Sequence, residues 1–308
     1  MHHALTVLNR ASLRRRFDAY ADVPWDEPDM TFDLDDPRLE LPVSDPLGAT
    51  DWYRSQPAET RRRLGLHFVC AQLRVGMDFE AVLSEGLLEL GRTLELEDPA
   101  RRYVLHEVIE EAQHTLMFRE LILRSGLPTQ GLTGLDRLHS YTVPKLARSF
   151  PEYFFFFVLG GEAPIDHAQR EALRRRGEVH PLIERVMRIH VTEEARHLSF
   201  AEGFLRERVP RLGRARRAFL AFRVPIILGE MSKRMLEVPG WLAREYRIPS
   251  AVRREAYRQG PLHDARLAAG ARSVRRLVED IGLTGPVTDR LWRHWRITAP
   301  DAHARALA

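Results

Sequence analysis

Apolar residues recur at three- and four-residue intervals along most of the chain after Pro57, the repeat of a helix with one buried face. Alternation of apolar and polar residues, which marks a half-buried strand, is scarce, and glycine and proline stand mainly at the breaks. The pattern predicts an all-α fold. The predicted helices cover residues 57–95, 99–125, 143–173, 180–207, 214–237, 250–258, 262–281 and 286–295.

The chain divides into an N-terminal arm and a helical body. Residues 20–50 are rich in proline and aspartate, and the residue before a proline is biased towards extended backbone. We therefore expect residues 1–50 to form an irregular arm packed on a single helical domain of residues 51–308. Asp98 and Pro99 have the residue types of a helix N-cap and first turn, so the first two long helices should form an antiparallel hairpin.

Composition narrows the classes of partner. The net charge of +4 is modest and only Lys145 and Lys233 are lysines, so no lysine-rich tail indicates nucleic-acid binding. Cys70 is the only cysteine, which excludes an internal disulfide or a cysteine-based metal site and fits a reducing cytoplasm. The N-terminus lacks the apolar segment of a signal peptide, and the run "YFFFFVLGG" is about half a membrane span, so we expect no membrane partner.

Two predicted helices carry the same short cluster of acids and histidine. "EEAQH" occupies residues 110–114 and "EEARH" residues 193–197. One Glu-x-x-His is common by chance in helices, whereas two matching copies are not. Positions i, i+3 and i+4 of a helix share a face, so Glu111 and His114 can reach one ion.

The second copy is preceded by another histidine. His190, Glu194 and His197 stand at positions i, i+4 and i+7, and the residues that continue their stripe are apolar. Burial of such groups is costly unless they are paired or bind a metal. A hydrogen-bonded polar network without metal is the alternative. A Glu-x-x-His from each of two helices, with one glutamate from each of two others, is the arrangement that binds a carboxylate-bridged metal pair in a helical bundle.

Periodicity selects a glutamate on the first long helix. Steps of three, four and seven residues from Glu80 meet apolar residues and glycine, whereas the same steps from Glu85 meet a largely polar face. Glu80 is therefore the candidate ligand.

The remaining glutamate should lie between the two copies of the motif. Glu162 follows the strongest apolar run, although it could instead cap a helix, because Pro164 indicates a kink or a helix start. Asp166 lies one turn further on and could be an acid that supports the ligands, but we expect it to be exposed.

The predicted ligands are carboxylates and imidazoles. Four carboxylates balance two divalent ions, and this donor set favours iron, with manganese or a mixed pair as alternatives. Glu110 and Glu193 precede the ligand glutamates and could each accept a hydrogen bond from a ligand histidine across the site, or could be surface residues.

With these residues identified, the chain resembles the diiron arylamine N-oxygenases, the p-aminobenzoate N-oxygenase family. The resemblance extends over roughly residues 30–205 and is carried by the two motifs, by the extra His190, and by the entry segment "LPVSDPLGATDWYRSQPAETRRRLGLHFV". It implies a ferritin-like bundle, a homodimer, and a reduced diiron centre that uses O2 and an external electron donor to oxidise an amine nitrogen. The residues implied as metal ligands are Glu80, Glu111, His114, Glu162, His190, Glu194 and His197.

Two other functions of ferritin-like proteins compete with this one. A ribonucleotide-reductase-like oxidase would need a radical site, for which Tyr103 is the candidate, whereas iron storage would not need the long arm or the C-terminal third. His190 favours the oxygenase, because it makes the site richer in nitrogen. Arg290, Arg293 and Arg296 could meet a substrate carboxylate, although an exposed basic face explains them more simply.

Overall fold

The computed structural model describes residues 2–298, which contain helices and turns and no β-strand. The all-α prediction is confirmed for this part of the chain. Met1 and residues 299–308, to which the predicted domain extends, lie outside it. The helices are α1 (His2–Arg14), α2 (Asp51–Arg54), α3 (Ala58–Gly91), α4 (Pro99–Ser125), α5 (Gly134–Ser149), α6 (Pro151–Arg174), α7 (Pro181–Arg208), α8 (Arg214–Leu236), α9 (Gly240–Glu245), α10 (Ser250–Arg254), α11 (Pro261–Gly270), α12 (Arg272–Asp280) and α13 (Pro286–His294).

Helices α3, α4, α6 and α7 form a four-helix bundle, in which α3 packs on α4, α4 on α7, α7 on α6 and α6 on α3. The predicted hairpin of α3 and α4 is present. Asp98 caps α4 by accepting a hydrogen bond from the backbone N–H of Ala100, and Pro99 is its first residue. Gly126 ends α4 in the left-handed region, at φ 64°. Helices α5 and α8 flank the bundle.

Two predicted helices are in fact interrupted. The prediction of one helix over 143–173 is wrong, because α5 ends at Ser149 and α6 begins at Pro151, with Phe150 in a non-helical conformation between them at φ −149° and ψ 66°. A residue that precedes proline avoids the helical region, and the prediction neglected this. Helix 262–281 likewise divides at Ala271. Conversely, Pro164 neither starts nor ends a helix, since α6 continues through it.

The N-terminal arm differs from the prediction at its start. Helix α1 was not predicted, and it packs on α4 and α7; after it, residues 15–50 form turns and two short 3-10 segments. This irregular stretch is tied to α4, because the backbone N–H of Ala19 donates to Gln113 (2.8 Å) and Arg124 donates to the carbonyl of Trp25 (2.7 Å). The arm therefore covers one side of the bundle.

Close helix packing brings α3 and α6 together at the level of the predicted site. A Cβ atom at Gly161 would collide with the ring of Phe79, so only glycine permits this approach. Phe79 and Gly161 directly precede Glu80 and Glu162, and the two glutamates therefore converge. The apolar run around Phe155 is buried in α6, and no described helix is long and apolar enough to cross a membrane.

Candidate metal centre

All seven predicted ligand residues are buried in the interior of the four-helix bundle, each 0–4 % exposed. Helix α3 contributes one of them, α4 two, α6 one and α7 three. Their nitrogen and oxygen atoms approach within 4.8 Å of one another in overlapping groups: Glu80, His114, His190 and Glu194 in one, and Glu111, Glu162 and Glu194 in another. Glu194 belongs to both groups. A carboxylate shared in this way can bridge two ions.

His114 and His197 are held in matching orientations by outer carboxylates. Nε2 of His114 donates to Glu193 (3.0 Å) and Nε2 of His197 donates to Glu110 (2.8 Å), each across the interface of α4 and α7. Nδ1 of each ring is then directed at Glu111, at 3.0 Å and 2.8 Å. The hydrogen bond to the outer carboxylate sets the tautomer and leaves Nδ1 as the donor atom for a metal.

His190 is oriented the other way round. Its Nδ1 donates to the amide oxygen of Gln169 (2.9 Å), and its Nε2 lies 3.5 Å from both Glu80 and Glu194. The orienting partner here is a neutral amide, whereas the other two histidines have carboxylates. His190 can therefore offer Nε2 to the site as a neutral imidazole.

Arg196 supports the outer carboxylates. Its guanidinium lies 2.8 Å from Glu110 and 3.4 Å from Glu193, and the side chain is almost fully buried. Burial alone would raise the pKa of Glu110, but the hydrogen bond from His197 and the charge of Arg196 hold it below its ordinary value. The backbone N–H of Phe17, in the arm, donates to Glu193 (3.3 Å). Both outer glutamates are thus buried hydrogen-bond acceptors and not surface residues.

If all the inner carboxylates were ionised, they would carry more negative charge than the metal-free site can accommodate. Burial, together with Glu111 and Glu194, raises the pKa values of Glu80 and Glu162 well above 4.5. Burial lowers the pKa of His114, but Glu111 outweighs it and raises that pKa to about 10. The metal-free site therefore retains a proton on His114 at neutral pH, which metal binding would displace.

Unpartnered oxygen atoms give an independent test of whether a metal fits. Neither carboxylate oxygen of Glu162 accepts a hydrogen bond, although the residue is 3 % exposed. Buried polar atoms without a partner are rare because each costs about 1–3 kcal/mol. Oxygen and imidazole donors without cysteine fit iron or manganese, and the described residues therefore fit a pair of such ions.

Two buried polar residues at the site were missed from the sequence. Glu107, on α4, lies within 4.8 Å of Glu111 and His197, and burial raises its pKa to about 8. Its spacing of four residues from Glu111 could have identified it, because both positions share a helix face. Gln169 had no comparable signal.

Other sequence expectations have different outcomes. Asp166 was expected to be exposed, which is wrong: it is 8 % exposed and pairs with Arg170 (2.8 Å), which also donates to a backbone carbonyl of α7. Tyr103 is buried and packs on Phe200, and its hydroxyl has no partner among the described residues. The arginines that could meet a substrate carboxylate, Arg290, Arg293 and Arg296, are exposed and do not line the cavity described in the next paragraph.

A cavity of about 160 Å³ leads to the carboxylates from the side of the arm. Glu80, Glu162 and His190 lie in its wall, and apolar side chains form most of the remainder, among them Phe68, Leu73, Phe118, Ile165, Ile183 and Met187. Exposed lining residues such as Arg38 and Ser44 indicate where it opens to solvent.

The arginines that line this cavity are already paired. Arg38 lies 2.6 Å from Asp36, and Arg266 lies 3.0 Å from Asp45. Arg175 lies 3.3 Å from Glu178. The cavity is therefore an apolar chamber whose cations are neutralised by neighbouring acids.

The whole chain is similar to known proteins. Residues 1–282 match the family described as P-aminobenzoate N-oxygenase AurF. An uncharacterized protein of Mycobacterium tuberculosis (strain CDC 1551 / Oshkosh) is 37 % identical over 302 residues, which are 98 % of this chain and 89 % of that protein, and an uncharacterized protein of Mycobacterium bovis has the same identity and coverage. The chain belongs to the p-aminobenzoate N-oxygenase AurF family, a diiron ferritin-like family.

Proposed function

We propose that the protein is a diiron oxygenase that uses O2 to oxidise the nitrogen of a single-ring aromatic amine towards the hydroxylamine, nitroso or nitro product. The observation that carries this proposal is the apolar cavity that ends on Glu80, Glu162 and His190. An apolar cavity of roughly 150 Å³ holds one benzene molecule, so the cavity has the size of one aromatic ring. Electrons would come from an external donor.

The proposed ligands are Glu80, His114 and His190 for one ion and Glu162 and His197 for the other, with Glu111 and Glu194 between them. Four carboxylates balance two divalent ions, and iron suits the donor set, with manganese or a mixed pair as alternatives. When bound and reduced, the metal pair would supply the electrons that activate O2.

The protein's own side chains position the substrate and the ligands. The apolar wall, which includes Phe118 and Ile183, excludes water and holds the ring of the amine, so that its nitrogen is directed at the carboxylate end of the cavity. Glu110 and Glu193 hold the Nε2–H groups of two histidines and keep each Nδ1 available to a metal.

The test begins with metal-free protein loaded anaerobically with Fe²⁺. Metal is quantified, O2 is admitted with a panel of aromatic amines and a reductant, and the products are analysed for incorporation of ¹⁸O from ¹⁸O2. We expect two ions per chain and labelled N-oxygenated product. One ion per chain, or oxygen consumption without labelled product from any amine, would contradict the proposal.

A variant that blocks the cavity separates substrate oxidation from metal binding. Ala168 lines the cavity and is 8 % exposed, so Ala168→Phe should fill part of it and abolish amine oxidation while two ions still bind. Ala218→Phe is the control, because Ala218 is exposed on α8. A reductase-like oxidase would keep its oxygen chemistry in the Ala168→Phe variant, since it needs no substrate in the cavity.

We also propose that the protein acts as a homodimer in the cytoplasm. Helix α4 supports the dimer, because it exposes Leu105, Ile109, Leu116 and Leu123 on one face, and an exposed apolar stripe is typical of an interaction surface. Light scattering should give twice the chain mass. Ile109→Arg should reduce that mass to one chain, and an unchanged dimer would exclude this face.

A further inference from the structure

Glu107 lies beside the seven proposed ligands and has no role among them. It stands on α4 one turn before Glu111 and is 1 % exposed. One of its carboxylate oxygens lies within 4.8 Å of an oxygen of Glu111 and a ring nitrogen of His197. This group of three could itself hold an ion.

The surroundings of Glu107 differ from those of the outer glutamates. Glu110 has a histidine and Arg196 as partners, whereas Oε2 of Glu107 accepts no hydrogen bond. A buried carboxyl oxygen without a partner costs about 1–3 kcal/mol. A second residue with the same property is Glu162, both of whose oxygens are unpartnered.

The two metal positions are unequal without Glu107. Two histidines, His114 and His190, accompany Glu80 on one side, whereas His197 is the only one of the described histidines on the other. Glu107 is adjacent to His197 and could supply the donor that this side lacks.

We propose that Glu107 is an additional carboxylate ligand for the metal ion bound by His197. The inference rests on the proposed metal pair. Carboxylates bind iron and manganese through one or both oxygens, so a buried carboxylate that lies beside Glu111 and His197 and has an unpartnered oxygen is suited to the purpose. The centre then has five inner carboxylates, one more than the charge of two divalent ions requires, and the fifth adds affinity on the His197 side.

The experiment compares Glu107→Gln with Glu152→Gln by calorimetric titration of metal-free protein with Mn²⁺ and by metal analysis after dialysis. Glu152 is the matched control, because it is also 1 % exposed on a bundle helix and has one unpartnered oxygen, but it pairs with Arg208 (2.9 Å). Gln keeps the size of Glu and removes its charge. A second variant, Glu107→Met, replaces the acid by an apolar side chain of similar length if Gln impairs folding.

We expect Glu107→Gln to keep one Mn²⁺ at wild-type affinity and to bind the other at least about tenfold more weakly, since loss even of an outer partner costs about 10–100-fold. Glu152→Gln should bind both ions as the wild type does. Two ions bound with wild-type affinity by both Glu107 variants would overturn the role of Glu107 alone. Fewer than two ions in the wild type would overturn the proposed function itself, and with it this inference.

Discussion

Glu80 and Glu85 lie on the same helix and allow a controlled test of the site. Glu80 is 4 % exposed among the other carboxylates, whereas Glu85 is exposed to solvent. Burial, together with the nearby Glu111, raises the pKa of Glu80 well above 4.5. The buried carboxyl group of Glu80 therefore destabilises the folded, metal-free protein. We therefore predict opposite effects of Glu80→Met on stability and on metal binding.

The expected change in the free energy of unfolding follows from the cost of burying an acid. Removal of a buried carboxyl that lacks adequate partners should stabilise the metal-free protein by about 1–3 kcal/mol, because an apolar side chain of similar volume carries no such penalty. The same change removes a ligand, so affinity for one ion should fall by more than about a hundredfold, beyond the effect of losing an outer partner. Glu85→Met should change stability by no more than about 0.5 kcal/mol.

The assay is urea denaturation with a chelator present, followed by titration with Fe²⁺ under anaerobic conditions. Equal slopes in urea are required so that a change in midpoint measures a change in stability. If Glu80→Met destabilises the metal-free protein, or binds two ions as tightly as the wild type, the assignment of Glu80 is wrong. An effect of Glu85→Met on metal binding would mean that the wrong face of α3 has been assigned to the metal site.

Four further predictions concern the histidines and their partners. His190→Ala should reduce the rate of amine oxidation strongly while it changes the free energy of unfolding little. If this variant binds two ions and oxidises the amine at the wild-type rate, His190 is only a core residue. Glu110→Gln should weaken metal binding about 10–100-fold, measured by titration, because His197 loses its charged acceptor; unchanged affinity would refute the orienting role. Metal affinity should rise with pH from 6 to 8, with protons released on binding, because the metal-free site keeps protons on Glu162 and on His114, whose pKa is raised to about 10. The raised pKa of His114 contributes stability that is complete below its ordinary pKa of 6.5 and is lost as pH rises towards 10, so the metal-free protein should be less stable to urea at pH 9 than at pH 6.

The residues that sequence periodicity could identify are those whose position depends on a single helix. Glu80 was separated from Glu85 by the apolar character of its stripe, and the structure buries the first and exposes the second. The repeated Glu-x-x-His follows the same rule, because a spacing of three residues keeps both side chains on one helix face whatever packs against it. The all-α fold and the hairpin of α3 and α4 follow from such local patterns as well.

The sequence did not determine which residues each buried helix face contacts. That Glu110 accepts from His197, 87 residues away, was one of two open alternatives, and only the packing of α4 on α7 decided it. Gln169 and the cavity have no local signal at all, since each depends on which side chains α6, α7 and the arm bring together. Asp166 was misjudged for the same reason: it is buried where Arg170, with which it pairs, donates to a backbone carbonyl of α7. Helical periodicity reports which side of a helix is buried, but the partners of a buried group come from distant parts of the chain, and only the tertiary structure specifies them.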